Sequence, residues 1–304
     1  MPAVLEVPCP RCGRAQEAAR ELCALCGQRL LVASLPAGAV DVPAARASGA
    51  FRTRAVDDPD ARRAAREPWI FLALGLVTAP VFALTPILQY MGWFLASLVH
   101  EIGHAAFAWL CGMPAVPAIS LAGHAAAVHG EQQLVVVAAV AALSVYGLTR
   151  LCEGRARAVA IAVALAAHLS VALTPARELL HLLAGHGAEL AFSGLCLWKA
   201  LDGGFTGSRT ERALYGTVGW YLLGRNALLC WGLATSGSAR GAYAENGSFG
   251  LTNDYLRAAD EVLGWRLESV AAAMLVACAT VLPLAIGAWR SMIALRRADA
   301  ARAC

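Results

Sequence analysis

Residues 94–112 read FLASLVHEIGHAAFAWLCG, an apolar run with the ionisable motif HEIGH near its centre. A helix of about 20 apolar residues spans the hydrocarbon core of a bilayer. Ionisable side chains inside such a segment are costly to bury and usually serve a function. The stretch therefore predicts a membrane helix that carries a functional site at His100, Glu101 and His104.

The remainder of the chain has the same apolar character. Of its 304 residues, 59% are hydrophobic and only 15% charged, whereas a soluble domain is about a quarter charged. Together with 92–112, the apolar segments are 69–89, 134–149, 158–174, 178–200, 214–235 and 268–289. We predict an all-α membrane protein with six or seven transmembrane helices. Segment 69–89 decides the number: with Pro80 and Pro86, it is either a full span or a broken or re-entrant hairpin.

The distribution of arginine predicts the orientation, because short cytosolic segments are enriched in basic residues. The last apolar segment is followed by Arg290, Arg296, Arg297 and Arg302, and the first one is preceded by Arg52, Arg54, Arg62, Arg63 and Arg66. This distribution favours a cytosolic position for both termini. The polar stretch 236–267 then falls outside, as does 113–133, which has no Lys or Arg. Arg177, in a short outer turn, is the exception. A net charge of +4, without alternating basic and aromatic residues, argues against a nucleic-acid partner.

The spacing of HEIGH suits a zinc hydrolase. In a helix, His100 and His104 lie one turn apart on the same face and can both bind one tetrahedral Zn²⁺. Glu101, beside the first histidine, can take a proton from a metal-bound water. The alternative is a chance match with two packed histidines, which the position in the middle of an apolar segment disfavours.

With these residues the chain resembles the site-2 protease family, the intramembrane zinc metallopeptidases. HEIGH is followed by a Gly- and Pro-containing stretch, CGMPAVPAISLAGHAAAVHG, and later by LDGG at residues 201–204. The resemblance covers about residues 69–235 and implies that the stretch after HEIGH folds back near the active site. It also implies that the third zinc ligand is the aspartate of the LDG motif, Asp202. The chain lacks the Asn-Pro that usually precedes this motif, and no PDZ-like insert is present.

Other residues compete with Asp202 for the third ligand position. A polar stripe on 178–200 places its ionisable groups on one helical face, where they should point into the bundle: Glu178, His181, His186 and Glu189. His186 and Glu189 lie near the middle of the segment, at a depth similar to His100 and His104, whereas Asp202 lies at its end. Asp254 in LTND is a further candidate. A residue that is not a ligand can still orient a ligand imidazole.

The amino-terminal cysteines form two CxxC pairs, CPRCG and CALCG, with Cys9 and Cys12 on one and Cys23 and Cys26 on the other. Four thiolates make a closed structural zinc site, so residues 1–30 predict a small zinc ribbon whose fold depends on the metal. A redox CxxC is the alternative, but no βαβ pattern surrounds it. Residues 31–67 then form a flexible basic linker, and 68–304 a polytopic metallopeptidase-like domain. We expect two zinc ions per chain, one catalytic and one structural, and a cytosolic partner for the ribbon.

Two functions remain open from the sequence. The first is an intramembrane zinc endopeptidase that cuts a membrane-embedded or membrane-adjacent peptide in the lipid bilayer. The second is a non-proteolytic metal-binding membrane protein, either a transporter or a scaffold. Glu101 distinguishes them, because a protease needs it as a base and a transporter site does not. A metal-dependent hydrolase that acts on lipid is a third possibility.

Overall fold

Helices cover the apolar segments in the structure, a computed structural model that describes residues 6–8, 15–17, 59–120, 124–202, 208–245 and 253–302. Segment 69–89 runs over the end of one helix and the start of the next. The long helices are α1 (Pro59–Leu84), α2 (Pro86–Leu110), α3 (Leu134–Leu151), α4 (Gly154–Ala172), α5 (Ala176–Leu201), α6 (Arg209–Thr235) and α9 (Leu267–Arg302). Two short helices, α7 (Gly237–Glu245) and α8 (Asp254–Arg257), lie before α9, and a π-helical turn, Ala258–Leu263, follows α8. Residues 62–290 form one compact unit.

Within the described part of the chain, five helices are long and apolar enough to cross a membrane: Glu67–Leu84, Leu134–Leu151, Gly154–Ala172, Ala176–Leu201 and Leu267–Arg296. Helices α2 and α6 are equally long but interrupted by charged and polar side chains, such as Glu101 and Arg225. The predicted number of six or seven spans therefore requires one or both of α2 and α6 to cross as well. The chain has the helical, apolar architecture of a membrane protein.

The break between the first two helices falls at Thr85, which is extended at φ −106° and ψ 118°. Pro86 opens α2, where its missing N–H costs nothing, and its ring disfavours a helical conformation for the residue before it. The other boundary also differs from the sequence prediction, because α1 begins at Pro59, inside the stretch that we interpreted as linker. The alanines and arginines after Pro59 are good helix formers, which explains the earlier start.

A β-hairpin follows α2. Strands β3 (Ala115–Ser120) and β4 (His124–His129) pair antiparallel, with Ala115 opposite His129. Gly112 ends α2 with a positive φ of 80°, and a Cβ there would lie 2.5 Å from Val137 Cγ2. Trp109 Nε1 donates to the Ala115 carbonyl at 2.8 Å, which attaches the hairpin to α2.

The start of α3 is attached to the ends of two other helices by Gln132. Its amide nitrogen donates to the carbonyls of Cys111 and Ala172, each at 2.8 Å. Arg177 donates in turn to the Gln132 side-chain oxygen. The arginine that disagreed with the orientation pattern therefore belongs to a polar connection between helix ends.

Helix α5 is the centre of the bundle and packs against α2 on one side and α6 on the other. Glycines allow the close approach: a Cβ on Gly103 would lie 2.4 Å from Ala188 Cβ, and one on Gly219 would lie 2.8 Å from Leu197 Cγ. In contrast, α3 and α4 are mostly exposed and apolar, as suits helices that face lipid.

At the amino end, strands β1 (Glu6–Pro8) and β2 (Ala15–Glu17) pair antiparallel, with Glu6 opposite Glu17. Cys9, Cys12, Cys23 and Cys26 lie outside the described residues, so the zinc ribbon stays a prediction.

Candidate metal centre

Three potential metal ligands converge between α2 and α8. Asp254 Oδ2 lies 3.0 Å from His100 Nε2 and 3.1 Å from His104 Nε2. The two Nε2 atoms are themselves 3.0 Å apart. One carboxylate oxygen and two ring nitrogens therefore form a nearly equilateral triangle, from an i, i+4 histidine pair and a residue that is 150 positions distant in sequence.

The hydrogen bonds of the two imidazoles indicate which nitrogens carry protons. His104 Nδ1 lies 2.8 Å from the carbonyl oxygen of His181, which can only accept, so this Nδ1 is the donor. His100 Nδ1 lies 2.9 Å from Glu189 Oε1, again an acceptor when ionised. Both Nε2 atoms then present lone pairs to each other and to the Asp254 carboxylate. A metal ion at the centre would accept these lone pairs, and the cluster has the ligand types and the outer hydrogen bonds of protein zinc sites.

Gly185 provides the space for this cluster. A Cβ at this position in α5 would lie 2.5 Å from Nε2 of both His100 and His104. Gly103 already brings α2 and α5 into close contact, so a methyl group on Gly185 could fit only if the two helices moved apart. The polar face of α5 thus serves the cluster in two ways: it carries ionisable side chains, and at Gly185 it has no side chain and leaves room for the two imidazoles.

We expect Gly185→Ala to lower zinc affinity at least as much as the loss of an outer hydrogen-bond partner does, roughly 10–100-fold. The added methyl group displaces the two ligand nitrogens, and a zinc-chelator competition titration measures the effect. Gly187→Ala is the matched control, because a Cβ there meets no atom within 4 Å, and it should leave affinity unchanged. Equal affinity in both variants would contradict the assignment of His100 and His104 as ligands.

Glu189, a predicted candidate for the third ligand, lies on the outer side of His100. It is fully buried, and its Oε1 accepts the bond from His100 Nδ1. Its Oε2 accepts from Asn226 Nδ2 at 2.7 Å and from Arg225 Nη1 at 3.1 Å. With both oxygens engaged, this carboxylate is placed to orient His100.

His186, the other mid-segment candidate, donates from Nδ1 to Asn226 Oδ1 at 2.9 Å. Its ring stacks on Tyr255, with centroids 4.2 Å apart. His186, Glu189 and His100 form a second group whose ligand atoms lie within 4.8 Å of one another. In that group the Glu189 oxygens already accept from neighbouring donors, so the triangle of His100, His104 and Asp254 fits a metal better.

Asp202, the candidate that the family resemblance implies, caps the carboxyl end of α5 and is buried. Among the described residues, it belongs to neither of the two groups that could bind a metal. The structure instead brings Asp254, at the start of α8, to the histidine pair. The LTND sequence had made Asp254 a candidate, but its position in a long polar segment did not indicate that this aspartate reaches the depth of His100 and His104.

Burial and hydrogen bonding act in opposite directions on Asp254. Burial raises the pKa of its carboxyl, but the neighbouring imidazoles of His100 and His104 outweigh burial and hold the pKa well below the usual range. A lowered pKa favours the ionised carboxylate, which is the form that binds a metal.

The cluster opens into a cavity of about 450 Å³. Glu101 is 6% exposed and lines this cavity together with the three potential ligands. The opposite walls come from β4, α5, α7 and α8, including Ala125, Ala126, Ala127, His129, His181, Tyr243 and Arg257. His129, from the stretch 113–133 that we predicted to lie outside, lines this cavity, and its ring centroid is 4.9 Å from that of His181. A small molecule or an extended peptide has room beside the cluster.

Comparison of the chain with protein-family models, with curated proteins and with solved structures finds no match.

Proposed function

We propose that this chain is an intramembrane zinc metalloprotease that hydrolyses a peptide bond within or next to the membrane. One observation carries the proposal: the HEIGH histidines meet Asp254 at 3.0–3.1 Å, and Glu101 lines the same cavity. The site belongs to a bundle of apolar helices, and a carboxylate beside two histidine ligands is the arrangement that zinc peptidases use.

The roles of the residues follow from their positions. His100, His104 and Asp254 would hold the zinc, with Glu189 and the His181 carbonyl orienting the two imidazoles. Zinc, when bound, supplies a Lewis acid that lowers the pKa of water and polarises a carbonyl. The Glu101 carboxylate accepts a proton from the attacking water and can donate it to the leaving amine nitrogen.

The β4 wall suits a peptide. Ala125, Ala126 and Ala127 present small side chains along one side of the cavity, which leaves width for an extended main chain. The family resemblance implies that the stretch after HEIGH folds back to the active site, and the position of β4 supports this expectation. The substrate would be a membrane protein or peptide.

The proposal includes the predicted orientation and the second metal. Both termini lie in the cytosol, and Cys9, Cys12, Cys23 and Cys26 hold a structural zinc in a ribbon that contacts a cytosolic partner. The support is the arginine distribution and the CxxC spacing.

The alternative, a metal-binding transporter or scaffold without hydrolysis, has one observation in its favour. A buried polar chain runs from His186 through Asn226 and Glu189 to Arg225, and such chains also occur along ion paths. However, the transporter alternative gives no role to Glu101. The protease proposal gives a role both to Glu101 and to these hydrogen-bonded residues.

Removal of the metal tests the proposal. The protein in nanodiscs should stop cleaving a fluorogenic transmembrane peptide after treatment with 1,10-phenanthroline, and it should regain activity when Zn²⁺ is added. Mg²⁺ should not restore it, because it prefers octahedral oxygen ligands. Elemental analysis before and after treatment shows whether zinc was lost. Cleavage that continues after the zinc has gone would overturn the proposal.

A further inference from the structure

A second cavity, of about 830 Å³, lies between α1, α2, α6 and α9. Its size is within the range of roughly 300–1,000 Å³ of small-molecule sites. The walls are mainly apolar, with Leu76, Pro80, Leu228 and Leu275 contributing from three of these helices. Two residues, Trp93 and Arg225, line this cavity and the cavity of the metal centre as well.

Arg225 gives the apolar cavity its charge. Among the described residues that line the cavity, it is the one cation, and none is acidic. Its Nη1 donates to Glu189 at 3.1 Å, and its side chain is 38% exposed. No other described residue accepts a hydrogen bond from this guanidinium, although an arginine offers several N–H donors in one plane.

Glu189 does not complete the pairing of this arginine. The same Glu189 oxygen also accepts from Asn226, and the other oxygen accepts from His100, so its negative charge is shared among three partners. A cation beside an apolar cavity is costly unless an anion accompanies it. The cavity therefore favours a ligand with an anionic end at Arg225 and an apolar body against the remaining walls.

We propose that this cavity is a binding site for a long-chain fatty acid, with the carboxylate on Arg225 and the alkyl chain between α1, α6 and α9. A carboxylate matches the planar fork of a guanidinium, and a single alkyl chain suits a cavity of this volume better than a lipid with two chains. The proposal does not depend on hydrolysis, because it concerns a binding reaction in a cavity that adjoins the metal centre at Trp93 and Arg225.

Photo-labelling tests the proposal. The purified protein in nanodiscs is irradiated with a diazirine analogue of palmitic acid, and mass spectrometry locates the label. We expect labelled residues on the walls of this cavity, and competition by palmitic acid but not by hexadecanol, which lacks the charge. Arg225→Gln should weaken competition roughly 10–100-fold, as expected for loss of a charge-assisted hydrogen bond, and Arg225→Lys should recover part of it.

Two glycines provide a matched pair that leaves Arg225 intact. Gly224 lines the cavity, and a Cβ there meets no atom within 4 Å, so Gly224→Phe should fold and fill the space. Gly147 in α3 is equally open, and Gly147→Phe should label like the wild type. Equal labelling of both variants, or equal competition by hexadecanol, would overturn the proposal. Displacement of the label by an apolar single-span peptide but not by palmitic acid would also overturn the proposal. That result would identify the occupant of the cavity as a transmembrane helix of another protein.

Discussion

Asp254→Ala is expected to reduce the zinc content from two ions per chain to one, the same loss that His104→Ala should cause. Both changes remove one corner of the triangle with sides of 3.0–3.1 Å. Two ligands bind zinc far more weakly than three, and the remaining ion belongs to the predicted cysteine ribbon. Elemental analysis of protein purified in detergent, with each variant compared with the wild type, measures the loss.

Asp202→Ala is the control for the aspartate experiment. The residue is buried, as Asp254 partly is, but among the described residues it is outside both groups that could bind a metal. We expect this variant to keep both zinc ions if it folds, which its elution from a sizing column would show. The reverse result, with zinc lost from Asp202→Ala and kept by Asp254→Ala, would favour the ligand that the family resemblance implies.

Glu189→Gln should have an intermediate effect. Glutamine keeps the shape and one acceptor oxygen for His100 Nδ1, but it removes the charge that pairs with Arg225. Substitution of an outer partner typically lowers metal affinity about 10–100-fold. In a chelator competition titration, we expect the loss of zinc affinity to be largest for the Asp254 variant, intermediate for the Glu189 variant and smallest for the Asp202 variant. That order would identify Asp254 as a ligand, Glu189 as an orienting residue and Asp202 as a structural one.

The helices were predictable from the sequence for a simple physical reason. A bilayer forces each crossing segment to satisfy its own backbone and favours apolar side chains along it. The seven predicted segments therefore fall on the seven long helices, although polar side chains interrupt α2 and α6. The hairpin of β3 and β4 was not predicted, because its run of alanines, with Pro117 among them, lacks the alternation of a half-buried strand.

The proposed third ligand, Asp254, shows where sequence pattern stops being informative. His100 and His104 are placed by the geometry of one helix, which any sequence reading can use. Asp254 reaches them through the path of a polar segment between α6 and α9, and that path depends on tertiary packing, such as Tyr255 stacking on His186. The polar stripe correctly indicated that α5 faces the site. It could not indicate that Glu189 would accept a hydrogen bond from Nδ1 of His100 and leave Nε2 of that ring to the cluster.

Glu101→Gln is expected to keep both zinc ions and to lose nearly all hydrolysis, by about 10²–10⁴-fold in rate, the usual contribution of a general base. Glutamine has the size of glutamate, so the cavity and the ligand triangle should persist, but its amide cannot accept the proton of the attacking water. Cleavage of the fluorogenic transmembrane peptide and elemental analysis of the same sample give the two readouts. Glu178 is exposed at the start of α5, although the polar stripe predicted that it points into the bundle. Glu178→Gln, an equal change at this exposed position, should alter neither.

The combination of the two readouts is what separates the protease from the transporter. If zinc and hydrolysis disappeared together, Glu101 would be needed to hold the metal, and the assignment of His100, His104 and Asp254 as the complete set of protein ligands would be wrong. Hydrolysis that persists with glutamine at this position would contradict the protease proposal whatever the metal content, because no other carboxylate in the cavity is uncommitted. Glu189 already accepts from His100, Asn226 and Arg225, and Asp254 lies against both histidines. Glu101, buried in the cavity wall but accepting no hydrogen bond from a described residue, remains the one available for proton transfer.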